Sequence, residues 1–309
     1  MARLTGNEKA IVVTALKRAA PYIRLFKHKV FVLKVGGEIF ATPETTRALM
    51  EQVAILHQVG IRLALVHGGG PQSTELATAL GVSTQFVAGR RVTDAQSLEI
   101  ASMVLNGQIN TRILAACRDL GVPAVGISGV DAGLIKAHKR PPVVVEGETE
   151  TVDYGYVGDI DEVDAEIVIK QLDGGIMPVI SPLSADASGT LLNINADTVA
   201  SALAVALGAE KLILATGAPG ILEDADNPRS LISYIDLKGL ERLRDQGRLT
   251  TGMLPKATAI EAAIRGGVPR VHVISHKLQD SLLLEVFTNE GTGTLVVNDV
   301  ENLTAAEQG

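Results

Sequence analysis

Apolar and polar positions along the chain alternate between two rhythms. Short apolar runs such as Val30-Phe31-Val32-Leu33 and Leu63-Ala64-Leu65-Val66 run into glycines and read as buried strands. Between them apolar residues recur at helical spacing, which predicts helices over 43–57, from near Ser73 to Gly81, over 94–120 with Gly121 and Pro123 as the stop, over 163–173, and over 197–207. Further strands are expected at 124–127, 177–181 and 211–215. Strand and helix in alternation mean βαβ units, hence an α/β fold: a three-layer αβα sandwich around a central, mostly parallel sheet. At the N-terminus Thr5-Gly6-Asn7-Glu8 has the form of a capping box, and Ile11, Val12, Leu16 and Ala19 follow at helical spacing. Pro21 is expected to end or kink that helix, with 22–26 leading to the first strand.

The rhythm changes over 136–156. Two adjacent prolines, the acids Glu146, Glu148, Glu150 and Asp153, and valine-threonine alternation suggest short antiparallel strands, and Lys136, His138, Lys139 and Arg140 read as a solvated hairpin. Asp186-Ala187-Ser188-Gly189 is turn-like. No low-complexity linker interrupts the chain, so two lobes sharing one sheet fit better than two tethered domains, with the boundary near Ala200. The expected division is an N-terminal helix over 1–27, one lobe over 28–200 and a second over 201–309.

Two strand ends carry candidate chemistry. Lys34-Val35-Gly36-Gly37 closes the first strand and His67-Gly68-Gly69-Gly70-Pro71 the second. A lysine beside bare backbone N–H groups suits a phosphate, whereas a glycine turn with a solvated lysine is the plain alternative; the first stretch alone leaves both open. Two such loops side by side favour one anion-binding crevice at the carboxyl edge of the sheet. The chain has no P-loop pattern, no Gly-x-Ser-x-Gly, and no His or Cys at metal-ligand spacing.

Composition narrows the options. The 309 residues are 46% hydrophobic and 20% charged, an ordinary globular balance with length enough for a large core. Aromatics at 3%, no tryptophan and a net charge of −7 argue against a nucleic-acid partner. The single cysteine, Cys117, lies on an apolar helical face and reads as a buried inert thiol. No stretch reads as a signal peptide or a membrane span, and a soluble cytoplasmic protein is expected.

Taken in order, Lys34-Val35-Gly36-Gly37, His67-Gly68-Gly69-Gly70-Pro71, Gly89-Arg90-Arg91-Val92-Thr93-Asp94, Asn193-Ile194-Asn195-Ala196-Asp197 and Met253-Leu254-Pro255-Lys256 resemble the amino acid kinase family, and within it the N-acetylglutamate kinase branch. The resemblance runs from about Pro21 to about Val297. It implies that family's fold and ATP-dependent phosphorylation of the side-chain carboxylate of N-acetyl-L-glutamate, with Mg2+ riding on the nucleotide phosphates and no side chain assigned to metal. It implies catalytic roles for Lys34 and Lys256 on either side of the moving phosphoryl group and for Asp197, which orients them. Gly69, Gly70, Arg91, Asn193 and Asn195 would bind the acceptor. Gly36, Gly37, Thr216, Gly217, Gly220, Ile221, Leu222, Gly252 and Met253 would bind the nucleotide. Tyr22, Arg24, His272, Glu285 and Gly291 match positions that bind an arginine effector in feedback-inhibited members. There the N-terminal helix also interlaces dimers into a hexamer.

The match has departures. Gly217 stands where the family usually has aspartate, Thr251 where it usually has glycine, and Val130 where a lysine is common. Arg24 replaces the usual lysine, and Ser275-His276 the usual Asn/Asp-Gly pair. Two further readings therefore stay open: a kinase for a related acceptor such as a carrier-linked aminoadipate, and a catalytically weak arginine-sensing protein. Aspartokinase is disfavoured because no length remains for a regulatory module.

Overall fold

The computed structural model describes residues 5–88, 90–144 and 151–302. The first helix, α1 (Gly6–Phe26), starts with the expected capping box: Glu8 N–H donates to Thr5 Oγ1, and Thr5 N–H to Glu8 Oε2 at 2.7 Å. It does not end at Pro21. Proline removes one helical hydrogen bond and costs roughly 3 kcal/mol or more, yet the last turn is held by packing beyond the helix. Phe26 is buried edge-on to Phe31 at 5.3 Å, and Tyr22 packs on the same cluster.

The chain then alternates through β1 (Val30–Val35), α2 (Pro43–Gln58), β2 (Arg62–His67), α3 (Gly70–Ala79) and the ribbon β3 (Phe86–Val87) and β4 (Arg90–Arg91). A long helical passage follows as α4 (Ala95–Ser102) and α5 (Asn110–Asp119). Asp94 caps it, accepting from Ser97 N–H at 2.7 Å. The expected single helix over 94–120 is broken by a π-helical stretch at Met103–Ile109, because this part packs over a glycine loop described below. Next come β5 (Ala124–Ser128), β6 (Ile135–Lys139), β7 (Gly158–Val163), α6 (Glu166–Asp173), β8 (Met177–Ser181), β9 (Leu183–Ala185) and β10 (Leu191–Asn193). The remainder is α7 (Ala196–Ala206), β11 (Lys211–Thr216), β12 (Tyr234–Asp236), α8 (Leu237–Asp245), α9 (Leu254–Arg265), β13 (Val271–Ser275), α10 (Ser281–Phe287) and β14 (Thr294–Val297).

The central sheet has eight strands in the order β12-β14-β13-β11-β1-β2-β8-β5. From β13 to β5 every pairing is parallel; β14 runs antiparallel to β13. Two apolar layers cover it. Val32, Ala64, Leu212 and Leu214 face α6, α7, α8 and α9, whereas Phe31, Leu33, Leu65 and Ile213 face α2, α5 and α10. Strand periodicity of two divides each strand between the layers.

The predicted antiparallel region is present: β6 pairs antiparallel with β7, and Val143 bridges Val152. Glu146, Glu148 and Glu150 lie outside the described residues. The basic cluster is solvated and paired, Lys136 with Glu162 at 2.8 Å and Arg140 with Asp159 at 2.5 Å. The helix expected over 163–173 starts later, at Glu166, because Val163 ends β7. No described helix is long and apolar enough to cross a membrane.

Candidate active site

β1 and β2 are neighbours, so both glycine loops open at one edge of the sheet. In β1, Lys34 is two residues beyond Val32 and shares its face, which brings its side chain under the first turn of α7. Asp197 is the second residue of α7, a position the helix dipole favours for a carboxylate. Lys34 Nζ lies 2.8 Å from Asp197 Oδ1, and Lys256 Nζ donates to Asp197 Oδ2 at 3.0 Å. Lys256 comes from the first turn of α9, which packs on α7 through a hydrogen bond from Ser201 Oγ to the Ala259 carbonyl at 2.8 Å. Three residues that the sequence placed far apart therefore form one buried bridge: the Asp197 and Lys34 side chains are 5% and 8% exposed, and Lys256 is 20% exposed. Burial alone would raise the Asp197 pKa; the charges and hydrogen bonds of the two lysines outweigh it and hold the carboxyl below its ordinary range.

Asp197 is not the cap of α7. That role falls to Asn195, whose Oδ1 accepts from the N–H groups of Asp197 at 2.8 Å and Thr198 at 3.2 Å. The Asn195 oxygen is thus spent on the helix, although the residue lines the same cleft as Asn193. This cleft, about 230 Å³, lies beside the bridge and is also lined by Lys34, Gly69, Gly70 and Arg91. Arg91 is fixed by its surroundings: its guanidinium donates to Thr74 Oγ1 at 2.6 Å and to the Gly70 carbonyl at 3.2 Å, and stacks over Phe86 at 5.0 Å. Burial lowers its pKa. Gly89 lies outside the described residues.

The glycine loops are sterically required. A Cβ at Gly37 would lie 2.6 Å from Gln72 Oε1 and 2.8 Å from the Gly69 backbone, and one at Gly69 would lie 2.7 Å from both Leu105 and Ile109 of the π-helical stretch. The N–H groups of Gly37 and Gly69, both buried, take no acceptor among the described residues. Buried N–H groups are nearly always paired, so these two point to an anion.

The nucleotide candidates fall at the same edge. Thr216 ends β11, beside β1, and its Oγ1 accepts from Ala218 N–H at 3.0 Å. Gly220 lies against Thr294, whose Oγ1 accepts from Ile221 N–H at 2.8 Å. Gly217 lies beside His276 and Lys277, which a Cβ there would meet in ordinary contact at 3.6 Å and 3.7 Å. Gly252 and Met253 lead into α9, with Met253 buried, and Leu222 bridges Leu231.

The arginine candidates lie apart from this edge. Tyr22, His272, Glu285 and Gly291 line a cavity of about 340 Å³ beside α1 and α10. Arg24 is exposed and does not line it, since the continuous helix turns it outward. His272 Nδ1 and Glu285 Oε1 are 2.6 Å apart, and Lys211 Nζ sits 3.1 Å from His272 Nε2. Burial, with Lys211 adding to it, pushes the His272 pKa down; burial would raise that of Glu285, but hydrogen bonds from His272 and Thr292 outweigh it. The sequence reading missed Lys211, whose only signal is a charge at the head of an apolar strand. It also missed Ser73, Ser97 and Pro182 in the cleft, which belong to no motif.

His67 is fully buried, and burial lowers its pKa from 6.5 to about 4. The folded value lies below the unfolded one, so on acidification the unfolded chain binds the proton first. Stability is therefore lost as pH falls from about 6.5 towards 4, by about 3 kcal/mol in all. Urea unfolding across that window should show a shallower pH dependence in His67→Gln; an unchanged slope would refute the assignment.

Residues 29–275 match the model of the amino acid kinase family. The acetylglutamate kinase of Myxococcus xanthus is 49% identical over 290 residues, covering 93% of this chain and 94% of that one. Among solved structures, N-acetylglutamate synthase from Neisseria gonorrhoeae complexed with coenzyme A and N-acetyl-glutamate is similar with a TM-score of 0.81 at 30% identity, over 93% of this chain and 64% of that one. Its complex with coenzyme A and L-arginine gives 0.80 at 30% identity, over 93% of this chain and 65% of that one, so the chain spans just under two thirds of the synthase. With a family match that takes in the β1 lysine, the glycine loops, Asp197 and Lys256, the chain belongs to the amino acid kinase family.

Proposed function

We propose that the protein transfers the γ-phosphoryl group of ATP to the side-chain carboxylate of N-acetyl-L-glutamate, forming an acyl phosphate. The observation that carries this reading is the Lys34–Asp197–Lys256 bridge beside a cleft lined by Arg91 and Asn193. A carboxylate oxygen of the acceptor attacks the γ-phosphorus as the bond to the bridging oxygen breaks, and the electron pair leaves with ADP; no proton need move. Such a transfer asks for two anions held in line and for the charge between them to be offset. Lys34 and Lys256 approach that charge from a strand and a helix. The Gly37 and Gly69 N–H groups receive phosphoryl oxygens, and Arg91 pairs with the acceptor's α-carboxylate in bidentate fashion. Asn193 contacts the acyl-amino group. Residues 28–200 form the acceptor lobe and 201–309 the nucleotide lobe, where the 216–222 loop and Gly252-Met253 hold ATP. Mg2+, when bound, offsets phosphate charge; the phosphates would hold it, and it needs hard oxygen donors at the loop.

Arginine is proposed as an effector in the cavity of Tyr22, His272, Glu285 and Gly291. Support comes from its buried carboxylate and from the L-arginine complex of the similar synthase. Residues 1–27 are proposed as an oligomerisation arm. Ile11, Val12, Val13 and Leu16 of α1 are between 46% and 61% exposed, an apolar face that suits a second copy.

Trapping the acyl phosphate as hydroxamate should show ATP- and acetylglutamate-dependent product, with kcat reduced about 10²–10³-fold in Lys256→Ala; absence of product from the parent protein overturns the reading. Calorimetry should show L-arginine binding that weakens at least about tenfold in Glu285→Gln, since a hydrogen bond to a charged group is worth roughly 1.5–3 kcal/mol; no binding, or binding indifferent to the change, refutes the effector site. Removing residues 1–20 deletes the exposed face of α1 but spares Tyr22 and Phe26, so sedimentation should report a smaller assembly. An unchanged assembly would rule out the arm.

A further inference from the structure

Glu38 sits at the rim of the glycine loop with no lysine or arginine nitrogen within 4 Å among the described residues. It directly follows Gly36-Gly37, and its carboxylate folds back over Gly36 so closely that a Cβ there would overlap both carboxylate oxygens. The side chain is 44% exposed. Its titratable neighbour within 4 Å among the described residues is His276, with Nε2 3.5 Å from Oε1, which is too long for a hydrogen bond. Burial, partly offset by Glu38 itself, disfavours the charged form of His276. Lys34, the nearest lysine in sequence, is committed to Asp197.

A carboxylate in this place repels a phosphate arriving at the loop, unless a cation stands between them. Magnesium is a hard ion that takes one or two protein carboxylates, completes its shell with substrate phosphates and keeps several waters. One half-exposed carboxylate at the edge of a phosphate cradle has the donor chemistry for that task. Among the described residues no group of three or more His, Cys, Asp or Glu side chains could hold a metal unaided, so any ion here shares the nucleotide's oxygens. We infer that Glu38 supplies the protein's carboxylate ligand to the magnesium carried by the donor nucleotide, and that it makes binding of the phosphates at Gly36-Gly37 conditional on that ion. The inference deepens the kinase reading and rests on it.

The test is calorimetric titration of the full chain with ADP, once in chelator and once in excess magnesium, for the parent protein, Glu38→Gln and Glu38→Asp. The parent should bind ADP on the order of tenfold more tightly with the metal, the scale by which losing one supporting group changes metal affinity. In Glu38→Gln metal-free ADP should bind more tightly than to the parent, and the gain from magnesium should largely vanish. Glu38→Asp should keep the gain. Equal gains in the parent and Glu38→Gln, or a weakening that is the same with and without metal, would overturn the inference while leaving the nucleotide site standing. Failure of the parent to bind ADP under either condition would overturn both.

Discussion

The active-site region depends on one carboxylate shared by two ammonium groups. Taking any of these three charges out of water costs several kcal/mol, and a buried ion pair by itself is weak evidence of stability. Here the balance is deliberately incomplete: Lys34 and Lys256 against Asp197 leave one positive charge over in a nearly dry place. An incoming phosphoryl group is the natural complement. Asp197 therefore lowers the cost of the empty state and holds both lysine ammonium groups at one carboxylate.

The rest of the fold follows from holding those three groups together. Lys34 faces α7 only because strand periodicity puts it on the Val32 face, and α7 can present Asp197 there because Asn195, two residues earlier, caps the helix. Lys256 reaches the same oxygens because α9 lies against α7 and Ser201 ties them. On the opposite face the π-helical stretch at Met103–Ile109 presses Leu105 and Ile109 on Gly69, which keeps the second glycine loop against the first. Widening the helix locally re-aims side chains where a regular helix would leave a gap or a clash.

What the sequence made legible was local. The strand ends at Lys34 and His67, the Thr5–Glu8 capping box and the alternation that forces a parallel sheet all depend on residues a few positions apart. The failures have long-range causes. Of the end or kink expected at Pro21, the end is absent because Tyr22 and Phe26 find partners in the core, and the 94–120 helix is interrupted because of what it packs against. The joint use of Lys34, Asp197 and Lys256 was suggested by family resemblance, since no spacing rule connects residues so far apart. Nothing in the sequence pairs Glu38 with His276, which meet only because β1 and β13 end at the same edge with β11 between them.

The net charge of −7 looks ill-suited to a triphosphate, and the resolution lies in which groups do the binding. Backbone N–H groups carry partial positive charge without adding to the formal total, and a nest of them costs no counter-ion when empty. A cradle of the Gly37 and Gly69 kind can thus be strongly attractive within a few ångströms while the molecule as a whole stays acidic. At 0.1 M salt the surface charges are screened beyond about 10 Å, so distant carboxylates scarcely weaken the cradle. The local field is then set by the nearest groups: two lysines, one shared aspartate, one guanidinium and the Glu38 carboxylate at the rim. An acidic exterior over such a site discourages long polyanions, whereas a small anion that reaches the glycine loops meets only the local field.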